Sequence, residues 1–341
     1  MTKRIWIFLL IAGCSTVEPK PETPAIAFSV PQGFPAPTYR IDDNPVTPDG
    51  FELGRALFYE GKLSRDASIS CADCHQQEAA FSHYDHDVSH GIDDKLGTRN
   101  APALFNLAWH STYFWDGGVH DLDLQPPNAI TNPNEMDETV SHVLEKLRAD
   151  ARYPSLFKAA FGTEEITTAR FLKALSQYML VLISANSKYD RYLRKEAGVS
   201  FSTDETEGLR LFQEKCATCH PAPLFSDFSF RSNGLKSTAV NDLGRAMITL
   251  RDQDRYTFKV PSLRNIAVSP PYMHDGRFSS LDKVLEFYQN GVQDTPNLDP
   301  LLKQNGRLGI SITDSEKRSI IAFLKTLTDE TFLKDKRFGR P

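Results

Sequence analysis

The sequence carries the pentapeptide C-x-x-C-H twice, as Cys71-Ala72-Asp73-Cys74-His75 and as Cys216-Ala217-Thr218-Cys219-His220. The whole chain has only five cysteines, and the fifth is Cys14. A disulfide framework would need further cysteines to pair with, and none is left over. Four thiolates could bind zinc, but a zinc ribbon brings its pairs within about 15–20 residues of each other and needs no His after each pair. With 9 histidines in 341 residues, a chance His after both pairs has a probability on the order of one in a thousand. A thioredoxin-like dithiol fits less well, because neither copy follows a strand and opens a helix in a βαβ pattern. The remaining chemistry is covalent c-type haem. Two thiols add to the vinyl groups of each haem, and the His of each motif supplies an axial imidazole.

The N-terminus agrees with that chemistry, which belongs outside the cytoplasm. Lys3 and Arg4 precede a short apolar run from Ile5 to Ala12, far too short to span a bilayer, so it reads as a signal peptide. Ile11-Ala12-Gly13-Cys14 resembles the lipobox of bacterial lipoproteins. That resemblance makes Cys14 the lipidated first residue of the mature chain. Ser15 in place of a retention-type Asp favours the outer membrane. The expectation is a periplasmic protein touching a membrane only through its N-terminal lipid. Residues 15–37 are rich in Pro and Thr, from Pro19 to Pro37, a tether composition. The net charge of −5 and pI near 6.0 argue against a nucleic-acid partner.

The remaining length suggests two domains, and an internal echo supports this. Leu53, Leu57 and Phe58 before the first motif, and Leu209 and Phe212 before the second, mark an amphipathic helix leading into each. Thr47-Pro48 is a cap followed by proline, residues 167–184 place Phe171, Leu172, Leu175, Met179 and Leu182 at helical spacing, and Thr313-x-x-Glu316 is a capping box. Strand signals are sparse, and the long segments 76–110 and 221–262 look wrapped around a non-protein group. The expected class is mainly α, with two cytochrome c-like domains and one covalent haem in each. The expected partition is residues 1–14 as signal peptide, 15–37 as tether, 38–187 as the first haem domain and 188–335 as the second.

Several segments together carry a more specific likeness: ELGRALFYEGKLSRDASISCADCH, TRNAPALFNLAW, FWDGG, NPNEM, FKVPSLRN and PYMHDGRFSSL. Over about Phe34 to Thr328 the chain resembles the bacterial di-haem cytochrome c peroxidase family, which also contains MauG. The resemblance implies an N-terminal peroxidatic haem, a C-terminal electron-accepting haem and a calcium ion between the domains. It implies hydrogen peroxide as substrate and a small c-type cytochrome or similar protein as electron donor, with homodimers common in the family.

Residue by residue, Trp115 matches a tryptophan lying between the haems, and Gln125 and Glu135 match a distal-pocket pair. Breaking a peroxide O–O bond needs a base that takes one proton and returns it to the leaving oxygen, and Glu135 is the candidate. His90, with His83 and His86 as alternatives, matches a histidine that caps the first haem in the resting oxidised state. Asn100, Ser269 and the Pro271 carbonyl match the calcium positions. Tyr288 matches the sixth ligand of the second haem, where peroxidases commonly have Met and MauG has Tyr; Met247 and Met273 are the alternatives. Gly118 stands where the family usually has Arg. A MauG-like oxidase that modifies a partner protein, and a non-catalytic di-haem carrier, are the competing functions.

Overall fold

The computed structural model describes residues 26–304 and 306–341; Cys14 and the signal segment lie outside them. The first half runs through α1 (Pro48–Phe58), α2 (Cys71–Cys74), α3 (Pro126–Thr131), α4 (Val140–Ala149), α5 (Arg152–Phe161) and α6 (Thr168–Leu180). The second runs through α7 (Lys188–Leu193), α8 (Thr203–Lys215), α9 (Ala246–Thr249), α10 (Leu281–Glu286), α11 (Asp314–Lys325) and α12 (Glu330–Leu333). Among the described residues, strand structure is confined to two antiparallel pairs of two residues each. β1 (Phe230–Arg231) pairs with β2 (Phe258–Lys259), and β3 (Lys303–Gln304) with β4 (Arg307–Leu308). The protein is mainly helical, as its patterning indicates.

Each half is built around one helix pair. In the first, Thr47 caps α1 by accepting the Gly50 N–H at 3.0 Å, with Pro48 at the first helical position. Phe51, Leu53, Leu57 and Phe58 then fall on the buried face, each contributing roughly 1.5–3 kcal/mol on burial. That face packs on α6. In the second half α8 packs on α11. Capping boxes start both helices, Ser202 with Glu205 and Thr313 with Glu316.

Both contacts depend on a glycine. A Cβ on Gly54 would stand 2.0 Å from the Ala174 carbonyl oxygen, and one on Gly208 would stand 1.9 Å from that of Ser319. The two glycines hold equivalent places, three residues before Leu57 and Leu211, so the echo extends to backbone-to-backbone packing.

Buried apolar side chains form two clusters. One gathers Phe51 to Leu182, and the other gathers Tyr189 to Leu327. Two segments depart from the partition expected of the sequence. Phe332 and Phe338 return to the first cluster, because the C-terminal segment runs back across it and the Phe338 carbonyl accepts from Tyr59 and Tyr178 at 2.8 and 2.6 Å. Residues 26–37, tether-like by composition, lie against the fold: Ile26, Phe28 and Phe34 pack on the first cluster, and the Pro35 carbonyl accepts the Trp109 indole N–H at 2.8 Å. Apolar side chains between the prolines supply the contact that composition alone hides. Among the described residues no helix is long and apolar enough to cross a membrane.

Candidate haem-binding cavity

Segments 76–110 and 221–262 contain only turns, short strands and helical pieces of three or four residues, and they enclose space instead of packing as core. One continuous cavity of about 1450 Å³ runs through both halves, larger than the roughly 300–1,000 Å³ typical of a single small-ligand pocket. Its wall includes Cys71, Cys74 and His75, and equally Cys216, Cys219 and His220. It also includes His90, Asn100, Trp115, Gln125, Glu135, Ser269, Pro271 and Tyr288. Apart from Cys14 and the alternative histidines His83 and His86, the site candidates drawn from the sequence therefore border one space.

The two motifs are presented in the same way. His75 lies beyond the short helix α2, and its Nδ1 meets the Phe81 carbonyl at 2.8 Å. His220 Nδ1 meets the Phe225 carbonyl at 3.0 Å. Both phenylalanines adopt left-handed backbone, φ 59° and 53°, which turns their carbonyls toward the rings. An imidazole held through Nδ1 is fixed in orientation and keeps Nε2 free to ligate, the arrangement found around metal-binding histidines. Burial pushes His75 down to about 4 and also lowers His220, so both rings stay neutral, as ligation requires. The signal for these two carbonyls was present in the sequence as a Phe-Ser pair after each motif, Phe81-Ser82 and Phe225-Ser226.

The thiols fit the same group. Burial raises Cys71 to about 12, Cys74 to about 11 and Cys216 to about 12, and it raises Cys219 as well. Sulfurs held neutral in an apolar wall suit thioether links and oppose a zinc thiolate cage. Among the described residues no three or more His, Cys, Asp or Glu side chains converge to hold a metal ion.

Glu135 borders the cavity near the first motif, close enough for its charge to act on both Cys71 and Cys74. Burial raises its carboxyl above the usual range, against hydrogen bonds from Asn132 and Ser89; the Asn132 amide is 3.1 Å away. Gln125 lies at the start of α3, on the same wall. Trp115 is fixed by its indole N–H donating to the Asn100 carbonyl at 2.8 Å, and its own carbonyl accepts the Lys259 N–H at 2.7 Å.

Of the three histidines, only His90 borders the cavity. Its Nε2 lies 3.4 Å from Asp94 Oδ1. His86 stacks between His83 and His90, with centroids 4.3 and 5.5 Å away. The Asn100 amide donates to the Asp87 carbonyl at 3.1 Å, and Ser269 Oγ to the Asn265 carbonyl at 3.4 Å.

Tyr288 sits on a π-helical turn, Phe287–Gly291, that follows α10. Such turns often mark functional positions. Leu281 and Leu285 are buried on α10, just before it. Burial raises the Tyr288 phenol to about 12, partly offset by a hydrogen bond from Asn233, and its surroundings include Cys219 and Cys216. Met273 Sδ takes a 3.6 Å contact from the Asn233 amide, whereas Met247 is 58% exposed with its sulfur 3.8 Å from Arg99. At Gly118 a Cβ would meet Ile248 at 3.0 Å and Asp116 at 3.1 Å. An arginine does reach this turn from elsewhere: Arg245 donates to the Asp116 carbonyl at 3.1 Å and stacks 3.8 Å over Phe230.

A model of the di-haem cytochrome c peroxidase family matches residues 48–198. The methylamine utilization protein MauG of Methylorubrum extorquens is 37% identical over 89% of this chain and 84% of its own length. The chain belongs to the di-haem cytochrome c peroxidase family. The cytochrome c551 peroxidase of Nitrosomonas europaea, a second member, is 33% identical over 84% of this chain and 82% of its own. A crystal structure of a MauG-like protein associated with microbial copper homeostasis superposes with a TM-score of 0.83 at 32% identity, covering 93% of this chain and 99% of that one. Family membership makes this a di-haem c-type protein with two cytochrome c-like domains, and both peroxidases and MauG proteins stand among its relatives.

Proposed function

We propose that this protein is an exported di-haem peroxidase. In that reading hydrogen peroxide takes two electrons and two protons to give two waters, the electrons coming from a small c-type cytochrome or similar donor. One observation carries it: a carboxyl group with a raised pKa, Glu135, lies with Gln125 on the cavity wall at the first C-x-x-C-H motif. A simple electron carrier has no use for a proton-transfer group there.

Cys71, Cys74 and His75 would hold one haem, and Cys216, Cys219 and His220 the other, with the Tyr288 phenol a further ligand to the second. Bound in this way, the haems supply the iron-centred redox chemistry. Ionised Glu135 takes the proton from the near oxygen of peroxide and delivers it to the far one as that leaves. Gln125 cannot exchange a proton in this way, and orients peroxide by hydrogen bonding. Trp115, pinned by Asn100 and Lys259, offers an aromatic bridge between the halves. His90 would cap the first haem at rest, which requires its ring to leave Asp94. Asn100, Ser269 and Pro271 offer oxygen ligands to one calcium ion. Lipidation at Cys14 would keep the protein in the periplasm at a membrane; Cys14→Ser should then move it from the membrane fraction to the soluble one.

Tyr288 favours a second reading. A phenol oxygen is harder than a thioether and favours ferric and higher states, which suits a MauG-like oxidase drawing electrons from a partner protein. Steady-state assay of the holo-protein with reduced cytochrome c and peroxide tests the first reading. Peroxide-dependent oxidation of cytochrome c is expected; its absence would leave the second.

A further inference from the structure

Lys259 is a cavity-wall residue whose side chain has no role in the reading above. It ends β2, and its side chain reaches across to the first half of the chain, where Nζ donates to the Thr112 carbonyl at 2.7 Å. The residue is 9% exposed. An ammonium carries three donors, and Thr112 takes one of them. Among the described residues Lys259 forms no ion pair. The nearby acid is Asp116, whose two carboxylate oxygens already accept from Arg99 and from the Gly118 N–H.

An unpaired charge in such a place is costly unless a counter-ion arrives, and burial drives this lysine down to about 7. Thr112 adds a second observation. Its hydroxyl is buried and has no hydrogen-bond partner, and buried polar groups of that kind are rare. The imidazole of His110, also on the cavity wall, is held neutral by burial and by the charge of Lys259. A cation and a neutral imidazole thus border the cavity together, and the nearby acid, Asp116, is already engaged by Arg99 and the Gly118 N–H. The only carboxylates that a haem brings with it are its propionates.

We propose that Lys259, positioned by the Thr112 carbonyl, anchors a haem propionate at the boundary between the two halves. The proposal rests on the cavity holding both haems. The ammonium then does more than retain the group. A positive charge beside a haem favours the ferrous state, and removing it leaves the propionate charge uncompensated, so both effects push the balance toward ferric.

The test uses the holo-protein, its Lys259→Met and Lys259→Arg variants, and anaerobic spectroelectrochemical titration of each haem, after haems per chain have been counted by denatured mass. In Lys259→Met the ferric-to-ferrous balance of one haem should move tenfold or more toward ferric, equal to about 59 mV for a one-electron couple. Lys259→Arg should stay close to the parent. If the methionine variant is not recovered folded, Lys259→Gln is read by the same criterion. Two haems with unmoved potentials in the neutral variant would overturn the proposal alone, as would an arginine variant shifted as far as the neutral one. Fewer than two haems on the parent chain would overturn the underlying reading together with it.

Discussion

In the two proposed readings Glu135 and Tyr288 would carry the competing chemistries, and each can be tested by a conservative substitution. Glu135→Gln keeps the shape and hydrogen-bonding length of the side chain but cannot accept a proton. Both haems should remain, and peroxide turnover should fall by about 10²–10⁴-fold, the range of general acid–base groups; unchanged turnover would move the base elsewhere. The pH profile gives an independent check. The base must be ionised, and burial raises its carboxyl, so turnover should be lost as pH falls through a value above the ordinary glutamate range. That acid limb should vanish in the Gln variant. For Tyr288, the oxidised protein should lack the thioether-to-iron charge-transfer band, and Tyr288→Phe should alter the second haem's spectrum while sparing the first. A band present in the native protein and lost in Met273→Leu would assign the ligand to Met273, whose sulfur shares Asn233 with the tyrosine.

Two elements, α1 and α8, present the haem motifs, and each is pressed onto its partner helix at a position with no side chain. Gly54→Ala and Gly208→Ala place a Cβ about 2 Å from a main-chain carbonyl oxygen, and helix backbone cannot turn aside as a flexible side chain could. Each should destabilise the protein by about 1–3 kcal/mol. For a domain of this size that lowers the melting temperature by roughly 2–4 °C per kcal/mol, measured by thermal denaturation of the holo-protein. A melting temperature unchanged in both would mean that the helix pairs are held elsewhere. The turns after the motifs act at the same scale, because left-handed Phe81 and Phe225 aim the carbonyls that fix His75 and His220.

At the scale of the whole molecule, Asp329 ties the connection between the halves to the C-terminal segment. Its carboxylate accepts from the N–H groups of Ala185, Asn186 and Phe332 and from the Thr331 hydroxyl. Asp329→Ala strands these donors, at about 1–3 kcal/mol for each one left buried, so urea denaturation should show a clear loss of stability; an unchanged midpoint would mean that water replaces the carboxylate. None of this was visible in the sequence, where Asp329 is one acid in a polar stretch. By itself the sequence determined the covalent chemistry and the helical pattern. Four cysteines and two histidines at fixed spacing leave few alternatives, and helix caps and apolar periodicity are local signals. Tertiary structure alone decided that residues 26–37 and Phe338 close over the first core, and that Phe81 and Phe225 orient His75 and His220. It also decided that Lys259 stands beside Trp115 and, among the described residues, forms no ion pair. Such relations join positions dozens to hundreds of residues apart, and burial, which gives each of them its energy, is set only when the chain has closed around the cavity.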